Sequence, residues 1–175
     1  MKRLLVLIFA TVIVGIGVQS VAAQDSAPMT EAHIERIRAN CVEAQSVLYQ
    51  LHASDALLRV NRGQLYESIS TKLMAPFNSR MVLNKFEATS LTGVTISYER
   101  ELAIFRTNYQ QYEEAMSKLL RMNCTNQPVA FYDGVNDTRA KRKKVHDSTV
   151  ALQGFIKEYE TNFEVFAKKL KEGNR

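Results

Sequence analysis

Tryptophan is absent from the 175 residues, proline occurs three times and glycine seven times. So few turn-formers argue against a sandwich or barrel of short strands, which needs a turn roughly every ten residues. No stretch alternates apolar and polar residues as a half-buried strand does, so helix should dominate. Glycine-rich phosphate loops, the dinucleotide fingerprint and the Gly-x-Ser-x-Gly elbow are all missing, which excludes those sites in their usual form. The histidines, His33, His52 and His146, are never three or four positions apart, and no Glu-x-x-His occurs. Helical di-iron and zinc-protease sites are excluded on the same grounds.

Only two cysteines are present, Cys41 and Cys124, and their spacing fits no zinc or redox motif. Charge of either sign is also modest. Lys and Arg number 23 against 18 Asp and Glu, a net +5 that is too weak to argue for nucleic acid. No metal, no cofactor and no catalytic residue is expected.

What the chain does have begins with Met1-Lys2-Arg3, an uncharged run from Leu4 to Val18, and Val21-Ala22-Ala23. Basic, apolar and small-residue regions in that order read as a secretory signal, residues 1–23, cleaved after Ala23. As a helix the apolar run reaches about 22 Å, short of a hydrocarbon core of roughly 30 Å. Cleavage is therefore favoured over retention as an anchor. No later run is apolar enough to span a bilayer. An even pair of cysteines in an exported protein most economically forms one disulfide. Closing a loop between positions 83 apart would stabilise the fold by about 4 to 5 kcal/mol as an upper estimate.

After a flexible segment, 24–29, a single all-α domain is expected over 30–171, followed by a tail, 172–175. The clearest seam is Phe131, Val135, Thr138, Arg142, Val145, Thr149, Leu152, Ile156, Tyr159, Phe163, Phe166 and Leu170, at alternating steps of four and three. That pattern predicts one helix from about 128 to 171, packed along near-parallel neighbours. Tyr98, Leu102, Phe105, Tyr109, Tyr112, Met116 and Leu119 make a second seam, with Ser90-Leu91-Thr92-Gly93 expected to precede its helix.

The first seam starts near Thr30 and runs through Ile37, Cys41, Leu48, Asp55, Leu58, Arg62, Leu65 and Ile69. Proline disfavours helix in the residue before it, so a break is expected at Ala75-Pro76, with a shorter helix from Phe77 to about Ala88. The architecture is then an elongated antiparallel bundle of three long helices plus that shorter one. A four-helix up-down bundle with a turn near Ser54 is the alternative.

Aligning Cys41 with Cys124 brings Asp55 level with Arg142. A buried polar layer of Asp55, Arg62 and Arg142 is expected, with Thr138, Tyr109 and Tyr112 as hydrogen-bonding neighbours. Its first reading is control of register, because a buried ion pair adds little net stability but penalises slipped pairings. Its second is a pocket for a small anion. Arg139 to Lys144 is the densest cationic run, and it wraps its helix as a solvated face or as a contact for an acidic surface.

The stretch Arg59 to Arg80, together with Cys124, Pro128, Phe131-Tyr132 and Arg139, resembles a group of exported helical proteins of small, host-dependent bacteria of the Saccharibacteria type. The resemblance implies no activity and no site residue; it implies a host-cell surface as one kind of partner. The function expected from the residues is that of a secreted or envelope-associated interaction protein, not an enzyme. Its partners would be a protein, an envelope polymer or a second copy. A holdase-type chaperone or a small-ligand carrier using the polar layer is the alternative.

Overall fold

The computed structural model describes residues 29–173. The expected signal peptide and all but Met29 of the expected flexible segment lie outside the described residues. Those described form an all-α bundle with no strand.

The first helix, α1 (Glu31–Ser68), continues through a π-helical stretch, Ile69–Met74, into α2 (Ala75–Leu83). No turn forms at Ser54, so the four-helix alternative does not hold, and the expected break at Pro76 is absent as well. Pro76 has no N–H for the carbonyl four residues back, and its ring crowds that carbonyl. The π stretch accommodates both effects: the Ala75 amide donates to the Ser70 carbonyl five residues back, and Ala75 stays helical at φ −63°, ψ −48°. The same stretch turns Ser70 and Met74 inward, where both are buried.

α2 ends in a Schellman motif. The Lys85 amide donates to the Val82 carbonyl and the Phe86 amide to the Met81 carbonyl, each at 3.0 Å. Lys85 takes the left-handed position at φ 60°, where glycine is usual. α3 (Thr89–Leu120) then starts earlier than expected, with Ser90 to Gly93 in its first turns. α4 (Pro128–Gly173) opens on proline, whose missing N–H costs nothing in a first turn, and takes in two residues of the expected tail.

α3 and α4 form the most extensive helix pair, and α1 lies across both. Every residue of the α3 seam is buried. Together with Leu152 and Tyr159 of α4 and Tyr66 and Met74 of the first helix, its N-terminal half forms one core cluster. Leu152 is wholly buried there, so cutting it to alanine would cost about 2 to 5 kcal/mol. A second cluster gathers the other half of the seam around Cys41, Cys124 and Phe131. Beyond Tyr159 the α4 seam meets α2 and the turn that follows it: Phe77 meets Phe163 edge-on at 5.2 Å, and Phe86 meets Phe166 at 5.8 Å.

The α1 seam departs from expectation after Asp55. Leu58, Arg62 and Leu65 are exposed, and Tyr66 is the next buried residue. A straight α-helix drifts about 20° per heptad against a strict seven-residue repeat, and an eleven-residue step, here from Asp55 to Tyr66, restores the phase. Over Leu57–Asn61 every side chain is exposed.

Candidate functional site

The cysteines at positions 41 and 124 are joined by a disulfide, with Cα atoms 5.7 Å apart, near one end of the bundle. Beside it, Gln45 Nε2 donates to the carbonyls of Leu120 and Met122 at 2.9 and 3.1 Å. The terminal carbonyls of α3 have no partner within their own helix, so α1 supplies one. Toward the other end, Tyr98 Oη donates to the Tyr66 carbonyl at 2.9 Å and Ser70 Oγ donates to Glu99 at 2.9 Å.

About two-thirds of the way along α1, a polar layer crosses the bundle. Arg142 Nε donates to Asp55 Oδ2 at 2.7 Å and Arg142 Nη2 donates to Oδ1 at 3.0 Å, a bidentate pair. Tyr112 Oη donates to the same Oδ2 at 2.7 Å. Burial alone would raise the Asp55 carboxyl, but the bonds from Arg142 and then Tyr112, with the Arg142 charge, hold it below the usual carboxylate range. Burial, then the Asp55 bond, pushes the Tyr112 phenol well above its ordinary value.

Arg62 takes no part in the pair: the drift of α1 carries it to the exposed side, and no carboxylate lies within ion-pair distance of it among the described residues. The Thr138 hydroxyl is buried but lacks a hydrogen-bond partner, so it too stands outside the network expected for it. The layer is also wetter than expected. The Asp55 side chain is 11 % exposed, that of Arg142 50 %.

Three further residues belong to this layer. His52 Nε2 lies 2.5 Å from Glu113 Oε1, and Tyr109 Oη donates to Glu113 Oε2 at 3.0 Å. The Arg59 guanidinium stacks over the Tyr109 ring, 4.6 Å from its centroid. Burial, then the Glu113 bond, raises the Tyr109 phenol to about 12. Nothing in the sequence singles out His52, Arg59 or Glu113, since each is an ordinary polar residue off the apolar seam.

The cationic run divides among separate tasks. Arg142 holds Asp55, Lys141 pairs with Asp137 and Lys143 with Asp147, while Arg139 reaches the edge of a cleft between α1, α3 and α4. That cleft has a volume of about 400 Å³ and lies where α1 lifts from the core.

No family model, curated protein or solved structure matches this chain. The site is therefore read from its own chemistry. Among the described residues, no group of His, Cys, Asp and Glu side chains is placed to hold a metal, and no helix is long and apolar enough to cross a membrane. Asp55 and Arg142 neutralise one another, and both cysteines are in the disulfide. The arrangement can fix a register and can bind.

Far from this layer lies a second polar chain. Tyr159 Oη donates to Asn78 Oδ1 at 2.9 Å, Asn78 Nδ2 donates to Thr95 Oγ1 at 2.8 Å, and Thr95 Oγ1 donates to the Leu91 carbonyl at 2.9 Å. It ties α2, α3 and α4 together and every member is buried. Its role is structural: a satisfied buried network specifies one packing.

Proposed function

We propose that this protein is a non-enzymatic interaction protein that acts outside the cytoplasm and holds a partner protein on the outer face of α1. One observation carries the reading. Val42, Leu57 and Val60 lie on the side of α1 turned away from Leu51 and Asp55, and Val42 and Leu57 are 69 % and 64 % exposed. Helices of globular proteins keep one apolar stripe and turn polar residues outward, and a helix apolar on both sides is normally covered on both. Here α3 and α4 cover one side only. The signal-like residues 1–23 and the Cys41–Cys124 bridge support export, because disulfides persist in oxidising compartments.

The test is a photoreactive amino acid placed at Val42 or Val60, with Glu160 on the exposed face of α4 as control, irradiated in the cells that make the protein. One discrete product from the α1 positions and none from Glu160 supports the reading. Equal capture at all three positions contradicts it. A broad ladder of products from α1 alone would favour the holdase alternative, since a chaperone surface accepts many chains.

A further inference from the structure

The cleft beside the polar layer differs in kind from the outer face of α1 and opens on the other side of the same helix. Its floor is apolar: Leu58, Phe105, Tyr109 and Val145 line it. Its edge is cationic, with Arg59, Arg62, Arg139 and His146 among the lining side chains. Asp55 is the one acid that lines it, and that carboxylate is already engaged by Arg142 and Tyr112, so it offers an approaching anion little repulsion. Among the described residues, Arg59, Arg62 and Arg139 have no carboxylate within ion-pair distance. The volume of about 400 Å³ falls in the range of small-molecule sites, roughly 300 to 1,000 Å³.

We propose that this cleft binds a single-chain fatty carboxylate, with its headgroup among the guanidinium groups of Arg59, Arg62 and Arg139, which have no carboxylate partner among the described residues, and its alkyl chain along Leu58, Phe105 and Val145. Two features select this class. A small inorganic anion would leave the apolar floor uncovered, and a neutral chain would leave the guanidinium groups without an anion. Arginine suits the role, since its planar fork takes a carboxylate through two parallel hydrogen bonds while its stem lies along apolar surface. The drift of the α1 seam creates the space, because Leu58 and Arg62, turned out of the core, line the gap beside Phe105 and Val145 without filling it.

The experiment is calorimetric titration of the whole protein with decanoate and dodecanoate below their micelle concentrations, with dodecanol and inorganic phosphate as the other arms. Binding should be saturable at one site and tighten about fourfold for each added methylene. Dodecanol should bind more weakly than dodecanoate, and phosphate should give no measurable heat. Arg62→Ala and Arg139→Ala, both at exposed positions, should weaken dodecanoate about tenfold in combination and leave dodecanol unchanged. Lys157→Ala, an exposed change elsewhere on α4, should have no effect. Absence of dodecanoate binding, phosphate binding as tight as dodecanoate, or affinity indifferent to both arginines would each overturn the proposal. Its outcome is independent of crosslinking at Val42 and Val60, which lie on the opposite side of α1.

Discussion

Asp55 in α1 receives both arms of the Arg142 guanidinium in α4 across 87 positions of sequence, at 2.7 and 3.0 Å. The contact locks the first helix against the last at one register, in the middle of a layer where α1 otherwise turns its side chains to water. A pairing slipped by one turn would leave Asp55, 11 % exposed, without its cation, and an uncompensated carboxylate in such a place is strongly unfavourable.

The first prediction concerns pH. The folded-state pKa of Asp55 lies below its ordinary value, so its ionised form stabilises the fold above the unfolded pKa of about 4. That contribution is lost as pH falls through the lowered folded value. Asp55→Asn should therefore be less stable than the parent at pH 7 and converge on it in strong acid. Because Arg142 is half exposed, the gap at neutral pH should be about 1 kcal/mol. Urea unfolding followed by circular dichroism from pH 2 to 7 would measure it; a gap that stays constant with pH would contradict the assignment.

The buried chain from Tyr159 through Asn78 to Thr95 yields a second. Asn78→Leu leaves the Tyr159 hydroxyl without an acceptor and deprives Thr95 of a donor, at an expected cost of about 1 to 3 kcal/mol. Tyr159→Phe removes one donor and should cost less, about 1 kcal/mol. Chemical denaturation of both variants checks the order, and equal losses would show that the network is not held as described.

Two glycines should respond in opposite ways. A Cβ at Gly63, inside α1, would meet nothing within 4 Å, whereas one at Gly134 in α4 would lie 3.0 Å from Leu119 Cδ1. Gly63→Ala should stabilise the protein by about 1 kcal/mol through helix propensity alone. Gly134→Ala should gain less or lose stability, since the Leu119 side chain must give way to admit it. Thermal unfolding of the two variants side by side is the check.

Much of this architecture is legible in the sequence because a seven-residue repeat and a paired cysteine both carry long-range meaning. The α3 seam, from Tyr98 to Leu119, is buried throughout, and the Cys41–Cys124 alignment brings Asp55 and Arg142 together. Reading fails where a local rule is overridden by its surroundings. Pro76 signals a break, yet a π stretch absorbs it; Lys85 adopts a backbone conformation that nothing in its side chain announces. The drift of α1 accumulates over four turns and more, so residues near Cys41 obey the repeat while Arg62 and Leu65 do not. Asn78, Thr95 and Glu113 stay hidden for a different reason: a polar residue's partner depends on three helices at once, and periodicity records only which face is apolar.

The outer apolar face of α1 and the cleft both depend on α1 lying in the register that joins Asp55 to Arg142. A double-mutant cycle on Asp55→Ala and Arg142→Ala, read by urea unfolding at pH 7, tests that register directly. The expected result is a coupling energy of about 0.5 to 1 kcal/mol or more between the two positions. Losses that simply add would mean that the two side chains do not meet, and the placement of α1 would be wrong.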